Sequence, residues 1–220
     1  MTYCGFSPKS VEFYINLREQ RYSTEVYNQN KEAFYQFVKP ELISIFEKVT
    51  PLIGAHYENI AFDESTSHIG LSYAHVPARF AWGAITREGR NKHNDLQLFV
   101  ALRYDYLRFG FYLPNKGDFQ STFRTVYKNI ESNRSNFISM IKDLTGHGLI
   151  LSAHTAPDES GKPKPLAFNE NYPEIAIEMN KEFSVISGIS VNDIHDLDLP
   201  SVIADAFIRL KPLYDMVMDT

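Results

Sequence analysis

The sequence predicts an α+β fold, and three observations predict it. Apolar residues recur every three to four positions toward both ends of the chain, the period of an amphipathic helix. Over 59–113 the pattern changes to short aromatic and β-branched runs separated by turn residues. Within that stretch Leu96-Gln97-Leu98-Phe99-Val100-Ala101-Leu102 alternates strictly, with Leu96, Leu98, Val100 and Leu102 on one face and Gln97, Phe99, Ala101 and Arg103 on the other. Helices around a central antiparallel meander, not strands alternating with helices, define the class. No internal repeat or linker-like composition interrupts the chain, so 1–220 is expected to form one domain.

Ser7-Pro8 sets a Ser N-cap before a Pro at the first helical position, where a missing N–H costs nothing. Val11, Tyr14, Ile15 and Arg18 then share a face. A helical period runs over 28–50 through Phe34, Val38, Leu42, Ile45, Phe46 and Val49. Pro40 predicts a kink or a junction of two helices, and Thr50-Pro51 predicts the end. Strands are expected at 69–73, 79–86, 96–103 and 107–113. Tyr104-Asp105-Tyr106 turns the last two into a hairpin, and Pro114 and Gly117 close the sheet region. Asp118 is a candidate N-cap for a helix carrying Phe119, Phe123, Val126, Tyr127 and Ile130. The polar run 131–136 divides it from a helix with Phe137, Ile138, Ile141 and Leu144. A strand at 148–152, an exposed Pro-rich loop at 156–165 and a short helix at 173–181 follow, then a strand at 183–189. The last expected helix, 200–217, buries Val202, Ile203, Ala206, Phe207, Leu210, Leu213 and Val217 and is strained by Pro212.

Composition bounds the function. Apolar residues make up 44% and charged residues 22%, as in an ordinary globular chain. There are 16 Phe and 13 Tyr, enough for an aromatic core or for ring-lined binding surfaces. No stretch approaches the roughly 20 apolar residues of a membrane span. The N-terminal residues lack the apolar run of a signal peptide, and a cytoplasmic location is expected. Cys4 is the sole cysteine, which excludes an internal disulfide and a cysteine-based metal site, and it reads as a small packing or exposed residue.

Motifs that carry chemistry are missing. The seven histidines never form H-x-H, H-x₃-H or H-E-x-x-H, and only His68 and His75 flank one strand, so no metal is expected. Neither a P-loop nor a dinucleotide fingerprint occurs, and Gly146-His147-Gly148 reads as a helix terminus. There is no nucleophile elbow. Ser187-Gly188-Ile189-Ser190 reads as a turn followed by a Ser-x-x-Asp cap through Asp193. Asp193, Asp196 and Asp198 fall in a polar, solvated loop. No catalytic residue and no cofactor is assigned.

Charge is more informative. The chain is −5 overall, yet 76–134 holds ten Lys/Arg against five Asp/Glu. The basic run Arg87-Glu88-Gly89-Arg90-Asn91-Lys92-His93 is concentrated between two strands. Two readings stand: a solvated turn whose arginines pair with local acids, or a surface that meets phosphates and stacks bases. In the second, the nucleic-acid-binding residues are Arg79, Trp82, Arg87, Arg90, Lys92, Arg103, Tyr104, Tyr106 and Arg108. Phe80 and Trp82 share a strand face, and Gly83 beside them permits close approach of a ligand or another backbone. Trp82 fits either a core position under a helix or an aromatic cage for a flipped base.

Phe6-Ser7-Pro8-Lys9-Ser10-Val11-Glu12-Phe13, Asn30-Lys31-Glu32-Ala33-Phe34-Tyr35, Phe183-Ser184-Val185-Ile186 and Ala206-Phe207-Ile208-Arg209-Leu210-Lys211-Pro212-Leu213 resemble blocks of an uncharacterised bacterial family of unknown function. That family's middle motif, Arg-Asp-x-Arg-Phe-Ser followed by Lys-x-Pro-Tyr-Lys, does not occur here. The middle, Phe80-Ala81-Trp82-Gly83-Ala84-Ile85, Asp95-Leu96-Gln97-Leu98-Phe99-Val100 and Leu107-Arg108-Phe109-Gly110-Phe111-Tyr112, is similar to the N-terminal region of restriction-type (McrB-like) AAA ATPases. That resemblance implies a domain that recognises DNA or a partner for a motor; no Walker A occurs within these 220 residues. The expected function is therefore a non-catalytic recognition domain of a bacterial defence or restriction system. Arg87, Arg90 and Lys92 would touch DNA phosphates, and Trp82 with Tyr104 or Tyr106 would stack. Two alternatives remain. One is an assembly module whose hairpin edge and last helix dock an AAA ATPase or nuclease. The other is a small-molecule enzyme with a deep polar pocket holding His68, His75 or Arg103.

Overall fold

The computed structural model describes residues 5–21, 23–64, 69, 72–73, 76–90, 95–114, 120–153 and 183–218. Cys4, His68, His75, Lys92, His93, Asp118 and Phe119 lie outside the described residues, as do the expected loop at 156–165 and helix at 173–181.

The N-terminal third is helical: α1 (Pro8–Glu19), α2 (Thr24–Ala33), a π-helical turn (Phe34–Val38) and α3 (Lys39–Ile53). Ser7 has the extended backbone of an N-cap, but its hydroxyl does not cap α1. Glu41 of α3 instead reaches this end of α1, accepting from the Ser7 backbone N–H at 2.9 Å and from the Ser10 hydroxyl. A carboxylate from a second helix thus neutralises the positive end of the first. The buried face of α1 is Ser10, Val11, Phe13, Tyr14 and Leu17, with Arg18 exposed. The face expected from the sequence is rotated toward Phe13, whose ring meets Tyr14 edge-on and also packs on Phe34.

Pro40 acts as expected, by a specific device. The helix does not break; it widens into the π turn immediately before the proline, and the Lys39 N–H reaches back five residues to the Phe34 carbonyl. The extra residue relieves the clash between the proline ring and the preceding turn. Pro51, in contrast, does not end α3, which continues to Ile53.

The central sheet has six strands in the order β1-β4-β5-β6-β8-β7, all antiparallel. Its strands are β1 (Ile60–Ala61), β4 (Ala81–Arg87), β5 (Gln97–Leu102), β6 (Tyr106–Leu113), β7 (Ile150–Ala153) and β8 (Phe183–Ser190). A separate two-stranded ribbon pairs β2 (Ser72–Tyr73) with β3 (Val76–Pro77). The expected meander is β4-β5-β6, with Leu102 opposite Leu107 across the hairpin. The sheet does not close at Pro114: β8 returns from the C-terminal third to pair along the whole of β6. The expected strand at 183–189 is β8, which runs on through Ser190, so the competing reading of 187–190 as a turn and cap does not hold; the turn comes after Ser190, whose carbonyl accepts from the Asp193 N–H.

Two helices, α4 (Gln120–Ser132) and α5 (Arg134–Gly146), divide where the polar run predicts. Gly148, at φ +80°, ends α5, its N–H bonding the Thr145 carbonyl while Leu149 N–H bonds Leu144. The last helix, α6 (Leu199–Met218), continues through an exposed Pro212 and packs against α3, α4, α5 and β6.

Both faces of the sheet are apolar. The helix-facing side carries Ala81, Ile85, Leu98, Val100, Leu102, Leu107, Phe109, Phe111 and Val185 in the main core. The opposite side, which carries Gln97, Phe99 and Ala101 from β5, forms a second cluster of Ala84, Phe99, Ala101, Tyr112 and Ile186 with Phe80 and Trp82 against it. Every β5 residue is buried, as for a strand covered on both faces.

Gly83 and Gly110 set the spacing. A Cβ on Gly83 would lie 2.3 Å from Cε2 of Phe46, so this glycine is where α3 rests on the sheet. A Cβ on Gly110 would lie 2.1 Å from the Val185 carbonyl oxygen, a backbone atom that cannot swing aside. Gly83→Ala is expected to lower unfolding free energy by about 1–3 kcal/mol, the cost of overpacking, as measured in urea. Gly110→Ala should cost more than Gly83→Ala, because strand β8 itself must move.

Candidate nucleic-acid interface

The structure divides the eight described candidate residues between opposite ends of the β4-β5 ribbon. Seven residues of strand at roughly 3.3 Å each separate these ends by about 20 Å. Arg87 and Arg90 lie at one end, Arg103 to Arg108 at the other, and Lys92 is outside the described residues.

At the first end Arg87 is held by a fully buried carboxylate. Asp95 accepts from Arg87 Nη2 at 2.6 Å, from Nε at 2.9 Å and from the Arg87 backbone N–H at 2.8 Å. The hydrogen bond to Asp95 raises the Arg87 guanidinium above its ordinary value, against the opposing effect of burial. This geometry clamps the start of β5 to the end of β4, the locally paired arginine of the first sequence reading. Arg90 is exposed beside an open cleft of about 310 Å³ lined by Ala61, Asp63, Thr86, Arg87, Glu88, Gly89 and Arg90. Arg103 does not line that cleft.

At the second end the β5-β6 turn is closed by the Arg103 N–H on the Tyr106 carbonyl. Around it guanidiniums and phenol rings alternate. Arg18 Cζ lies 4.1 Å from the Tyr104 ring centre, and Arg103 Cζ lies 5.2 Å from Tyr104 and 5.0 Å from Tyr106. Arg108 Cζ is 5.0 Å from Tyr106. Arg103 also donates from Nη1 to the Tyr106 hydroxyl at 3.2 Å, and its Nε stands 3.4 Å from Asp105. Arg103 is 5% exposed, Tyr104, Asp105, Tyr106 and Arg108 are half-buried, and Arg18 is exposed. Burial lowers the Arg108 guanidinium, with Arg103 acting in the same sense and Tyr106 against it; burial also raises the Tyr106 phenol. Asp105 contributes a carboxylate to this ladder beside Arg103. Arg108 Nε is buried without a hydrogen bond.

Trp82 stands on the same sheet face as Arg108, with Ala101 between them in register. Its indole is stacked on Phe99 at 4.8 Å and meets Tyr112 edge-on at 5.2 Å, so one ring face is taken by a neighbour. Arg79 is exposed just before β4. Tyr104 and Tyr106 each carry two guanidinium contacts and are not bare stacking platforms. Sequence reasoning missed Arg18, the exposed member at the end of α1. Its only sequence signal was an arginine continuing an otherwise apolar helix face.

No group of three or more His, Cys, Asp or Glu among the described residues is arranged to hold a metal ion. No described helix is long and apolar enough to cross a membrane. No known protein-family profile matches the chain, and no curated protein matches it.

Arg87→Ala leaves Asp95 buried without its cation and is expected to cost about 3 kcal/mol. Asp95→Asn should cost less, because Arg87 is one-third exposed and can turn to water; urea unfolding of the two variants orders them. Burial also raises the phenols of Tyr57 and Tyr214, and Tyr57 donates to the Phe207 carbonyl at 2.6 Å. Both should stay un-ionised during alkaline titration of phenolate absorbance until the protein unfolds. Above pH about 10 the unfolded chain releases protons that these two groups retain when folded, so their contribution makes stability fall as pH rises from there.

Proposed function

We propose that this chain is a recognition module of a bacterial defence or restriction system and that it contacts nucleic-acid phosphates through the Arg18-Tyr104-Arg103-Tyr106-Arg108 ladder. One observation carries the reading: three guanidiniums, from exposed Arg18 to buried Arg103, converge on two phenol rings, with Asp105 beside Arg103. Cation–π contacts hold the side chains in place, which reduces the ordering cost when an anion arrives. Low local polarity strengthens their attraction for a phosphate. Arginine is suited to this, since its planar fork donates to phosphate oxygens while its face stays on a ring. The restriction-system assignment rests on the resemblance of the middle segment; the phosphate-binding assignment rests on the ladder.

This reading moves the contact from the basic β4-β5 loop to the β5-β6 turn. A salt series of oligonucleotide binding tests it. Affinity should fall as salt rises, Arg108→Gln should weaken binding about tenfold and reduce the salt slope by about one, and Arg90→Glu should change it less than about twofold. Affinity that ignores salt, or loss confined to Arg90→Glu, would refute the ladder as the contact.

A further inference from the structure

We propose that the open edge of β8 at 187–190 takes an extended segment of a partner protein as an added antiparallel strand, with a carboxylate side chain of that segment on Arg108. This goes beyond the nucleic-acid reading and does not depend on it. The backbone directions follow from the bonds at the β5-β6 hairpin. The Arg103 N–H bonds the Tyr106 carbonyl, so Tyr106 faces β5, and along an antiparallel strand the facing alternates residue by residue. Leu107 and Phe109 therefore face β8, opposite Ile189 and Ser187. The Val191 N–H on the Asp105 carbonyl at 3.2 Å continues the same alternation. Gly188 and Ser190, the intervening residues, direct their backbone groups away from β6, as Ile186 does opposite Ile150. β7 supplies partners only as far as Ile186, because the Gly148 and Leu149 N–H groups already bond the last carbonyls of α5. The Ser190 carbonyl takes the Asp193 N–H, which leaves the Gly188 N–H and carbonyl and the Ser190 N–H for an added strand. Gly188 is exposed, and no described strand runs along this side of it.

Edge strands ordinarily carry a device against such pairing, a charge, a proline or a bulge. β8 holds no charge and no proline, and its register with β6 is unbroken from Phe183 to Ser190. Charge selects the partner. On the sheet face away from the main core, Trp82, Ala101, Arg108 and Gly188 form one row across the strands. Glycine keeps the lane between Arg108 and the open edge clear, and Arg108 leans into it, its Cγ 4.0 Å from where a Cβ on Gly188 would lie. The guanidinium is half-buried, and its Nε has no hydrogen-bond acceptor. A residue placed opposite Gly188 exchanges both backbone bonds with it and projects its side chain on that same face. Strands about 4.8 Å apart put this residue and Arg108 roughly 10 Å apart at the backbone, a gap that an arginine and a glutamate close between them. A lysine or arginine at that place would instead meet Arg108 and, beyond it, Arg103. Main-chain bonds give such a complex its affinity, and the side chain gives it selectivity.

The probe is a fluorescent peptide of about eight residues, valine and threonine with one central glutamate, followed by anisotropy on the whole chain. Replacing the glutamate by glutamine should weaken binding about tenfold, the loss of one charge-assisted bond. Methylating the backbone nitrogen of the glutamate should weaken it as much or more, because that N–H is the donor to the Gly188 carbonyl. On the protein side, Gly188→Pro removes an N–H that faces outward, a place where an edge strand tolerates proline. This variant should keep the circular dichroism of the unmodified protein and its oligonucleotide binding, and lose the peptide. Arg108→Gln should bind the glutamate and glutamine peptides equally. Equal binding of those two peptides by the unmodified protein would overturn the contact with Arg108. Undiminished binding of the N-methylated peptide would overturn strand addition, whatever the variants do. A dimer of the unmodified chain that Gly188→Pro dissociates would make a second copy the occupant and overturn the acidic partner. No binding of the glutamate peptide would overturn the proposal and leave the nucleic-acid reading standing.

Discussion

The contact between Phe46 and Gly83 fixes how the helical layer meets the sheet. Phe46 reaches the strand backbone because position 83 has no side chain, and its ring also stacks on Phe62 at 4.6 Å. With α3 seated there, α6 can lie against both α3 and β6, and α4 and α5 gather around α6. Asn129 of α4 donates to the Val217 carbonyl at 3.1 Å, tying that arrangement to the last turn of α6. The glycine at 110 performs the equivalent service within the sheet, letting the β8 backbone approach β6. One close approach orders the layers and the other completes the sheet.

The sheet is apolar on both faces, and this decides what its side chains can do. Trp82, Phe99 and Tyr112 pack against one another on the face away from the main core. Such rings contribute apolar area and edge-to-face contacts first. The polar chemistry is displaced to the strand ends, where turns bring guanidiniums beside rings and carboxylates. At one end a buried carboxylate binds Arg87 through Nε, Nη2 and the backbone N–H. At the other, three guanidiniums lean on two rings, with Asp105 beside Arg103. Equal formal charges thus have different settings: the Arg87 pair holds two strands together, and the ladder guanidiniums lie against phenol rings.

The sequence by itself determined the α+β class, the β4-β5-β6 meander, the division between α4 and α5 and the terminal helices, because each is written in local periodicity and punctuation. It marked Pro40 as a disturbance, though not that a π turn would absorb it. It identified the basic central segment and most of the ladder's residues. Tertiary structure decided the rest. Strand β8, expected over 183–189 from its own residues, pairs across a long sequence separation that no local pattern encodes, and this sets Gly188 opposite Arg108. Arg18 joins Tyr104 only when α1 packs near the β5-β6 turn. Whether an arginine is paired depends on the carboxylate the fold brings to it, so Arg87 and Arg108, alike as strand residues on either side of β5, became a clamp and a candidate contact.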